Sequence, residues 1–267
     1  LNLIFETENM AKVNLSSAEY FELFARQYDS QTTLMNYIAF GKPLKEIHSF
    51  NVRMTNYGWP MKFDVNFSFF YKIQKDMEAQ MEIVYKDMDK VPQFDDSIIL
   101  QYDTVNLPVA VQYSGKMNRA LLLKSTEDGA HVHFVDSGEN YVFKWEIVRP
   151  LYKQFAEWPP LAFHCQLNGL KQSDMIENVV ATLEKAMPPG REFYCEVINW
   201  NDMESILMDL YLGETDRVLI VNFYLAKYFA RKRQQKANRM LARKKLQEEK
   251  ARRRMLMGDD WDSSDEN

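Results

Sequence analysis

Cysteine is nearly absent from this sequence, and it has no long apolar run. Only two cysteines occur among 267 residues, Cys165 and Cys195, which excludes a disulfide framework and fits reduced, buried thiols in an intracellular protein. No apolar stretch approaches the roughly 20 residues that a membrane helix needs. The N-terminal stretch carries Glu6 and Glu8 and lacks the basic start of a signal peptide. Because the chain begins at Leu1 rather than at a methionine, we expect it to be part of a longer protein.

The charged residues are strongly segregated beneath a net charge of −5. Residues 1–230 hold 21 basic and 31 acidic residues, whereas residues 231–254 hold 12 basic and 2 acidic ones. Residues 255–267 hold five acidic residues and no basic one. An acidic body favours a cationic partner, and the basic segment is a separate electrostatic feature.

The first half of the chain changes between helical and strand periodicity. Apolar spacing predicts a helix over residues 16–40, within an N-terminal helical extension that spans residues 1–45. Alternation on both sides of residues 57–60 predicts a hairpin with one buried face. From Tyr71 to Met88 one apolar stripe predicts a long helix that faces the core.

Short strands and turns follow, and then helices return. Four apolar segments separated by turn residues predict a small barrel over residues 104–152. These segments are 109–113, 120–124, 131–135 and 141–145. Beyond them we predict a helix, two strands and a last helix, at 175–187, 193–198, 206–212 and from about Asn222. Residues 231–254 consist of strong helix formers and can extend the last helix, whereas residues 259–266 are expected to be disordered.

Four motifs in this order resemble a known family. Residues 109–120 read Val-Ala-Val-Gln-Tyr-Ser-Gly-Lys-Met-Asn-Arg-Ala, and residues 133–138 read His-Phe-Val-Asp-Ser-Gly. They are similar to the apolar strand, aromatic, turn, aromatic pair with Arg-Ala, and Phe-Val/Ile-Asp-Tyr-Gly-Asn of Tudor domains. Residues 162–170 and 221–225 are similar to the Ala-x-x-Cys-x-Leu-x-Gly and Val/Ile-Asn-x-x-Leu segments of extended Tudor domains. About residues 46–230 thus resemble the extended Tudor family.

The resemblance implies an α+β fold in which a long helix inserts a Tudor β-barrel into an OB-like domain related to staphylococcal nuclease. Helices flank this unit at both ends. We expect the nuclease-like hairpin with the linker helix at residues 46–103 and the Tudor barrel at 104–152. The rest of the nuclease-like domain is expected at 153–230, and a basic helix with an acidic tail at 231–267.

The resemblance also implies a binding site, an aromatic cage of four rings and an asparagine around a methylated guanidinium. Such a cation keeps its charge but loses N–H donors, so ring faces suit it, at roughly 0.5–2 kcal/mol for each contact. Tyr113 and Phe134 keep two rings, whereas Asn118, Ser137 and Glu139 replace the other cage residues. The loss of two rings should cost roughly 1–4 kcal/mol, which predicts a degenerate cage that is too weak for methyl-arginine.

A carboxylate at position 139 favours a different ligand, because an unmodified guanidinium offers it paired donors that methylation blocks. We therefore expect binding of an arginine-containing tail that is unmethylated, or binding that is independent of methylation. If the loop shifts by one residue, Asn140 takes the position of the family's asparagine. Arg119 and Asp136 match the family's internal ion pair, for which we expect a structural role. The resemblance further implies a PIWI/Argonaute-type partner, the piRNA pathway and a cytoplasmic, perinuclear germline granule.

Other interpretations of these residues stay open. Tyr113 and Phe134 also fit an ordinary barrel core, and Glu139 also fits a solvated loop. A nuclease needs clustered carboxylates with a metal, and the hairpin offers only Arg53 and Asp64, so we predict neither a catalytic residue nor a cofactor. His131 and His133 share one face of a strand but lack further ligands nearby, so no metal site is predicted. The basic segment is either a solvated charged helix or a weak, sequence-independent contact for RNA from Arg231 to Arg254.

Overall fold

The structure is a computed structural model, and it describes residues 20, 22–30, 36–39, 41–58, 62–94, 106–126, 129–200, 205–215 and 217–257. Residues 1–220 and residues 221–267 form two separate compact units.

The N-terminal region differs from the predicted helix over residues 16–40. A helical turn ends before Phe24, which forms a β-bridge with Tyr152, and β1 (Ile38–Ala39) pairs with β2 (Lys42–Pro43). Tyr20 and Phe24 are buried in an apolar core, with their ring centroids 4.8 Å apart. The helix therefore does not continue from Phe24 to Ala39 in the described residues, and Tyr20 and Phe24 face the core. The helix predicted over residues 16–40 is wrong for the described residues from Phe24 to Ala39, and most of the helical extension predicted over residues 1–45 lies outside the described residues.

The predicted hairpin forms β3 (Ser49–Tyr57) and β4 (Lys62–Phe67). It closes a five-stranded barrel with three later strands, and alternate side chains fill the interior. The later strands are β10 (Phe163–Leu167), β11 (Glu192–Asn199) and β12 (Ile206–Tyr211). The strand order is β10-β12-β11-β3-β4, and only the β10–β12 pair is parallel. Cys165 and Cys195 are buried free thiols in this barrel, which confirms the prediction of reduced cysteines.

The predicted long helix is α1 (Tyr71–Val84), which is slightly shorter than its apolar stripe. Met77, Met81 and Tyr85 from that stripe are buried. The Tyr85 hydroxyl donates to the Pro150 carbonyl oxygen at 2.7 Å and accepts from the Tyr152 amide at 3.1 Å. Its burial raises the pKa of Tyr85 well above its usual value, so the hydroxyl keeps its proton. These bonds hold the end of α1 against residues 150–152.

The second sheet contains the strands that the sequence predicts between residues 104 and 152. Its strands are β5 (Leu107–Tyr113), β6 (Lys116–Thr126), β7 (Gly129–Phe134), β8 (Asn140–Phe143) and β9 (Val148–Pro150). All neighbours are antiparallel, in the order β8-β7-β6-β5-β9. In the described part of the chain its two edge strands, β8 and β9, do not pair with each other, so we call it the open sheet. Its five strands lie where the sequence predicts the small barrel, and a short 3-10 turn at residues 145–147 separates β8 from β9.

Three more helices complete the described residues. They are α2 (Lys153–Ala156), α3 (Glu177–Ala186) and α4 (Ile220–Met257). The predicted helix over residues 175–187 is confirmed as α3. The last helix begins two residues before Asn222 and continues through the whole basic segment for 38 residues. No described helix is both long enough and apolar enough to span a membrane.

A buried ion pair joins the open sheet to the closed barrel. Arg119 on β6 is 1% exposed and bonds Asp136 through Nε at 2.8 Å and Nη2 at 2.6 Å. Its other N–H groups donate to the carbonyl oxygens of three residues at 2.6–3.0 Å, namely Phe155, Trp158 and Pro159. Asn66 on β4 donates to the Asp136 carbonyl oxygen at 3.0 Å, so the pair connects both sheets.

We predict that Asp136→Asn lowers the free energy of unfolding by about 3–5 kcal/mol, because it leaves the Arg119 guanidinium buried without a counter-charge. Urea denaturation measures this loss. The control is Glu192→Gln, which breaks the exposed Arg53–Glu192 pair and should cost less than about 1 kcal/mol. Equal losses in the two variants would contradict a structural role for the buried pair.

Candidate functional site

The residues predicted to form the site lie at one end of the open sheet. Tyr113 ends β5, Asn118 lies near the start of β6, and Phe134 ends β7. Ser137 and Glu139 follow in the loop between β7 and β8. Two turns bring these segments together, and the first turns at Ser114 and Gly115, which both have positive φ. The structure thus brings together the five residues that sequence alignment with the family identified.

Four aromatic rings, rather than two, meet at this end of the sheet. Tyr113 and Phe134 are joined by Tyr141 and Phe143 from β8, with ring centroids between 4.8 and 5.8 Å apart for every pair. The expectation of only two rings is therefore wrong in number. The missed signal is the period-two pattern of β8, which places Tyr141 and Phe143 on one face of the strand.

The four rings pack against one another. Phe134 is only 3% exposed, whereas Tyr113, Tyr141 and Phe143 are half-buried. A guanidinium that lies between two ring faces needs about 3.5–4.0 Å on each side, so the ring centroids would have to be about 7–8 Å apart. The observed separations are smaller, and no such gap exists between the rings. This arrangement presents accessible ring surface at its edge but has no slot between opposed faces.

Glu139 is held at the rim of the ring cluster. Its carboxylate accepts hydrogen bonds at 3.1 Å from the hydroxyls of Ser137 and Tyr141. A hydrogen bond with Tyr113, then burial and the negative charge of Glu139, raise the pKa of Tyr141, so this hydroxyl keeps the proton it donates. A carboxylate has about four acceptor positions, and two hydroxyls leave capacity for further N–H donors.

Asn118 has a local role in its hairpin. Its side-chain nitrogen donates to the carbonyl oxygens of Tyr113 at 3.3 Å and Lys116 at 3.0 Å. These bonds stabilise the turn between β5 and β6, which carries Tyr113. Asn118 also borders an open cleft between the sheet and α1, together with Phe134 and Ser137, with about 370 Å³ of unfilled space including the solvent at its mouth.

The loop that carries Glu139 is anchored on the closed barrel. Gly138 has a φ of 83°, and a Cβ at this position would lie 2.1 Å from a carboxylate oxygen of Asp64. Asn56 donates to the Gly138 carbonyl oxygen and to Asp64, each at 3.1 Å. His164 Nδ1 forms a hydrogen bond with the other Asp64 oxygen. The barrel therefore sets the position of the loop and hence of Glu139.

Residues considered for catalysis or metal binding have other partners. Arg53 pairs with Glu192 at 2.7 Å and lies over the Tyr71 ring, and Asp64 is held by Asn56 and His164. His133 bonds Asn140 at 3.0 Å. Within the described ranges no group of three histidine, cysteine or acidic residues is arranged to hold a metal ion.

Stability should depend on pH through His164. The hydrogen bond to Asp64 raises the pKa of His164, although burial alone lowers it. A raised pKa in the folded state means that the stabilisation is complete below the usual value of 6.5 and is lost as pH rises through the folded-state value. We expect a loss of about 0.2–1 kcal/mol, as for a partly exposed ion pair.

The measurement is the free energy of unfolding between pH 5.5 and 8.5. His164→Asn should remove the decline with rising pH, and His131→Asn serves as the matched control that should keep it. A decline that persists unchanged in His164→Asn would assign it to other groups.

Comparisons with known proteins agree with the fold. Residues 44–169 match the Tudor domain family model. No curated protein matches the chain. A human TDRD1 extended Tudor domain, solved in complex with a symmetrically dimethylated peptide, is 19% identical, with a TM-score of 0.57 over 74% of this chain and 95% of that one.

Two further solved structures have the same fold. The extended Tudor domain TD3 of mouse TDRD1, in complex with a MILI peptide containing dimethylarginine, is 16% identical, with a TM-score of 0.55 over 67% of this chain and 91% of that one. A complex of Tudor with Aubergine carrying a dimethylated arginine is 18% identical, with a TM-score of 0.52 over 66% of this chain and 98% of that one.

Proposed function

We propose that this chain, an extended Tudor module with its Tudor domain match over residues 44–169, is a non-enzymatic adaptor for the arginine-containing tail of a PIWI/Argonaute-type protein. The proposal is supported by the fold that the chain shares with domains solved in complex with a MILI peptide and with Aubergine. The acidic body also favours a cationic segment, since residues 1–230 hold 21 basic and 31 acidic residues. The corresponding setting is the piRNA pathway, in cytoplasmic, perinuclear germline granules.

The module recognises arginine without requiring methylation and prefers the unmodified form. The observation that carries this proposal is the Glu139 carboxylate, which two hydroxyls hold at the rim of a closed ring cluster. An unmodified guanidinium presents paired N–H donors to such a carboxylate, whereas methyl groups replace those donors. The methyl groups gain little in return, because the rings are already in contact with one another.

A binding role also fits the partners of the polar residues in the closed barrel. A nuclease needs free carboxylates for a metal and free arginines for a phosphate. Arg53 is engaged by Glu192, and Asp64 is engaged by Asn56 and His164. Asp64 thus supports the loop that holds the site, and Arg53 lies in an exposed ion pair on the closed barrel.

A second candidate function, association with RNA, rests on α4. Residues 231–254 lie within this one helix, and every residue from 231 to 253 is exposed. They hold 12 basic and 2 acidic residues, which suits sequence-independent contact with phosphates. No aromatic residue lies between residues 231 and 254, so bases would not be stacked there.

We predict that Glu139→Gln weakens the binding of an unmodified arginine peptide about tenfold, because a charge-assisted hydrogen bond becomes a neutral one. Isothermal titration calorimetry with matched unmodified and symmetrically dimethylated peptides measures the effect. The wild type should bind the dimethylated peptide no more tightly than the unmodified one.

Glu146→Gln is the matched control, since Glu146 is an exposed glutamate of the same sheet region and its loss should leave affinity unchanged. Tighter binding on methylation would refute the preference for unmodified arginine. An unchanged affinity in Glu139→Gln would remove this carboxylate from the site.

For the RNA candidate, deletion of residues 231–267 should abolish the retention of single-stranded RNA on a filter at low salt. Deletion of residues 258–267 alone removes only acidic charge and should leave retention intact. Undiminished retention by the longer deletion would exclude the basic helix as the RNA contact.

A further inference from the structure

The cleft between α1 and the open sheet has an apolar floor. Met77 and Met81 of α1 and Met117 of β6 line it, and all three are at most 6% exposed. Asn118 and Ser137 border it with small polar side chains, which leave space above the floor. Methionine side chains adapt to varied apolar shapes, so this floor can accept a flexible aliphatic chain.

A partly exposed carboxylate lies at the rim of the cleft. Glu78 of α1 lines the cleft, and its side chain is 27% exposed. The other charged groups in the wall, Arg119 and Asp136, neutralise each other, and Arg119 donates every N–H group to a partner. Glu78 therefore determines the sign of the charge that the cleft attracts.

Glu78 has an exchangeable partner in the unbound protein. Lys75, one turn earlier on α1, contacts its carboxylate at 2.6 Å, and the Lys75 side chain is 42% exposed. Such surface pairs contribute little to stability and can be exchanged at small cost. Asn118 adds an acceptor, because its side-chain nitrogen donates within the turn and its carbonyl oxygen is the group left for a ligand.

We propose that this cleft is a second subsite, which takes a second arginine side chain of the peptide bound at Glu139. This inference rests on the proposed function. The aliphatic part of that arginine lies on the methionine floor, and its guanidinium replaces the Lys75 ammonium at Glu78. A long side chain with an apolar stem and a charged end matches this combination of floor and rim, and the planar guanidinium offers donors to both Glu78 and Asn118. The module therefore selects tails with two arginines at a set spacing.

The test compares peptides that carry two arginines, separated by one to four residues, with peptides in which methionine replaces the second arginine. Methionine keeps the apolar stem and removes the charge. At the best spacing the two-arginine peptide should bind about five- to tenfold more tightly by calorimetry. Glu78→Gln should abolish this difference, whereas Asp76→Asn, an exposed acid on the same helix, should preserve it.

A gain of affinity provides a second readout that a misfolded variant cannot produce. Lys75→Met frees Glu78 and should tighten binding of the two-arginine peptide about two- to fivefold, with no gain in the Glu78→Gln background. Lys72→Met is the matched control on the same helix and should not change affinity.

The outcomes separate this inference from the proposed function. If the methionine peptide binds as tightly as the two-arginine peptide, or if Glu78→Gln has no effect while Glu139→Gln weakens binding, the second subsite is overturned and the proposed function stands. If no arginine peptide binds the wild-type protein, the proposed function fails, and the second subsite fails with it.

Discussion

A buried guanidinium is tolerated only when its charge is paired and its donors are used, and this requirement organises the molecule. Arg119 meets it by bonding both oxygens of Asp136 and three carbonyl oxygens of the segment from Phe155 to Pro159. These contacts hold two stretches of chain in place, the loop that carries Asp136 and the segment from Phe155 to Pro159. Asn66 then attaches the same carboxylate-bearing loop to the closed barrel. The Arg119–Asp136 pair thus links two sheets that share no strand.

The binding loop takes its shape from that junction. Asp136 lies two residues after Phe134 and three before Glu139, so a fixed Asp136 places a ring on one side and a carboxylate on the other. Two backbone hydrogen bonds of 2.8 Å close the loop on itself. The Phe134 amide donates to the Glu139 carbonyl oxygen, and the Gly138 amide donates to the Phe134 carbonyl oxygen. The acidic rim is therefore a rigid feature before any ligand arrives, and a preorganised carboxylate saves the cost of ordering it on binding.

Sequence reasoning worked where one periodicity determined the outcome. Alternation in residues 50–69 and the stripe from Tyr71 predicted β3, β4 and α1, because each pattern has only one face that a core can bury. It failed for the described residues from Phe24 to Ala39, where a β-bridge and β1 replace the helix, since Tyr20 and Phe24 pack in a core built by residues far away in sequence. The ring cluster was underestimated for a related reason. Only the positions of the family motif were counted, whereas Tyr141 and Phe143 share one face of β8 by its period of two, and pairing with β7 brings that face to the cluster. Glu78 was not predicted as a site residue, because the apolar stripe identifies α1 as a core helix and gives no information about the polar side chains beside it.

The contact between Gly138 and Asp64 has a consequence for the evolution of this module. Residue 138 has no space for a Cβ while a carboxylate occupies that space, and its positive φ independently disfavours other residues. Asp64 lies in the closed barrel and Gly138 in the loop after β7, and a side chain at position 138 requires a change at position 64. Among related sequences we therefore expect a residue other than glycine at position 138 only where position 64 lacks its carboxylate. A residue of the closed barrel therefore limits which residues the binding loop can carry.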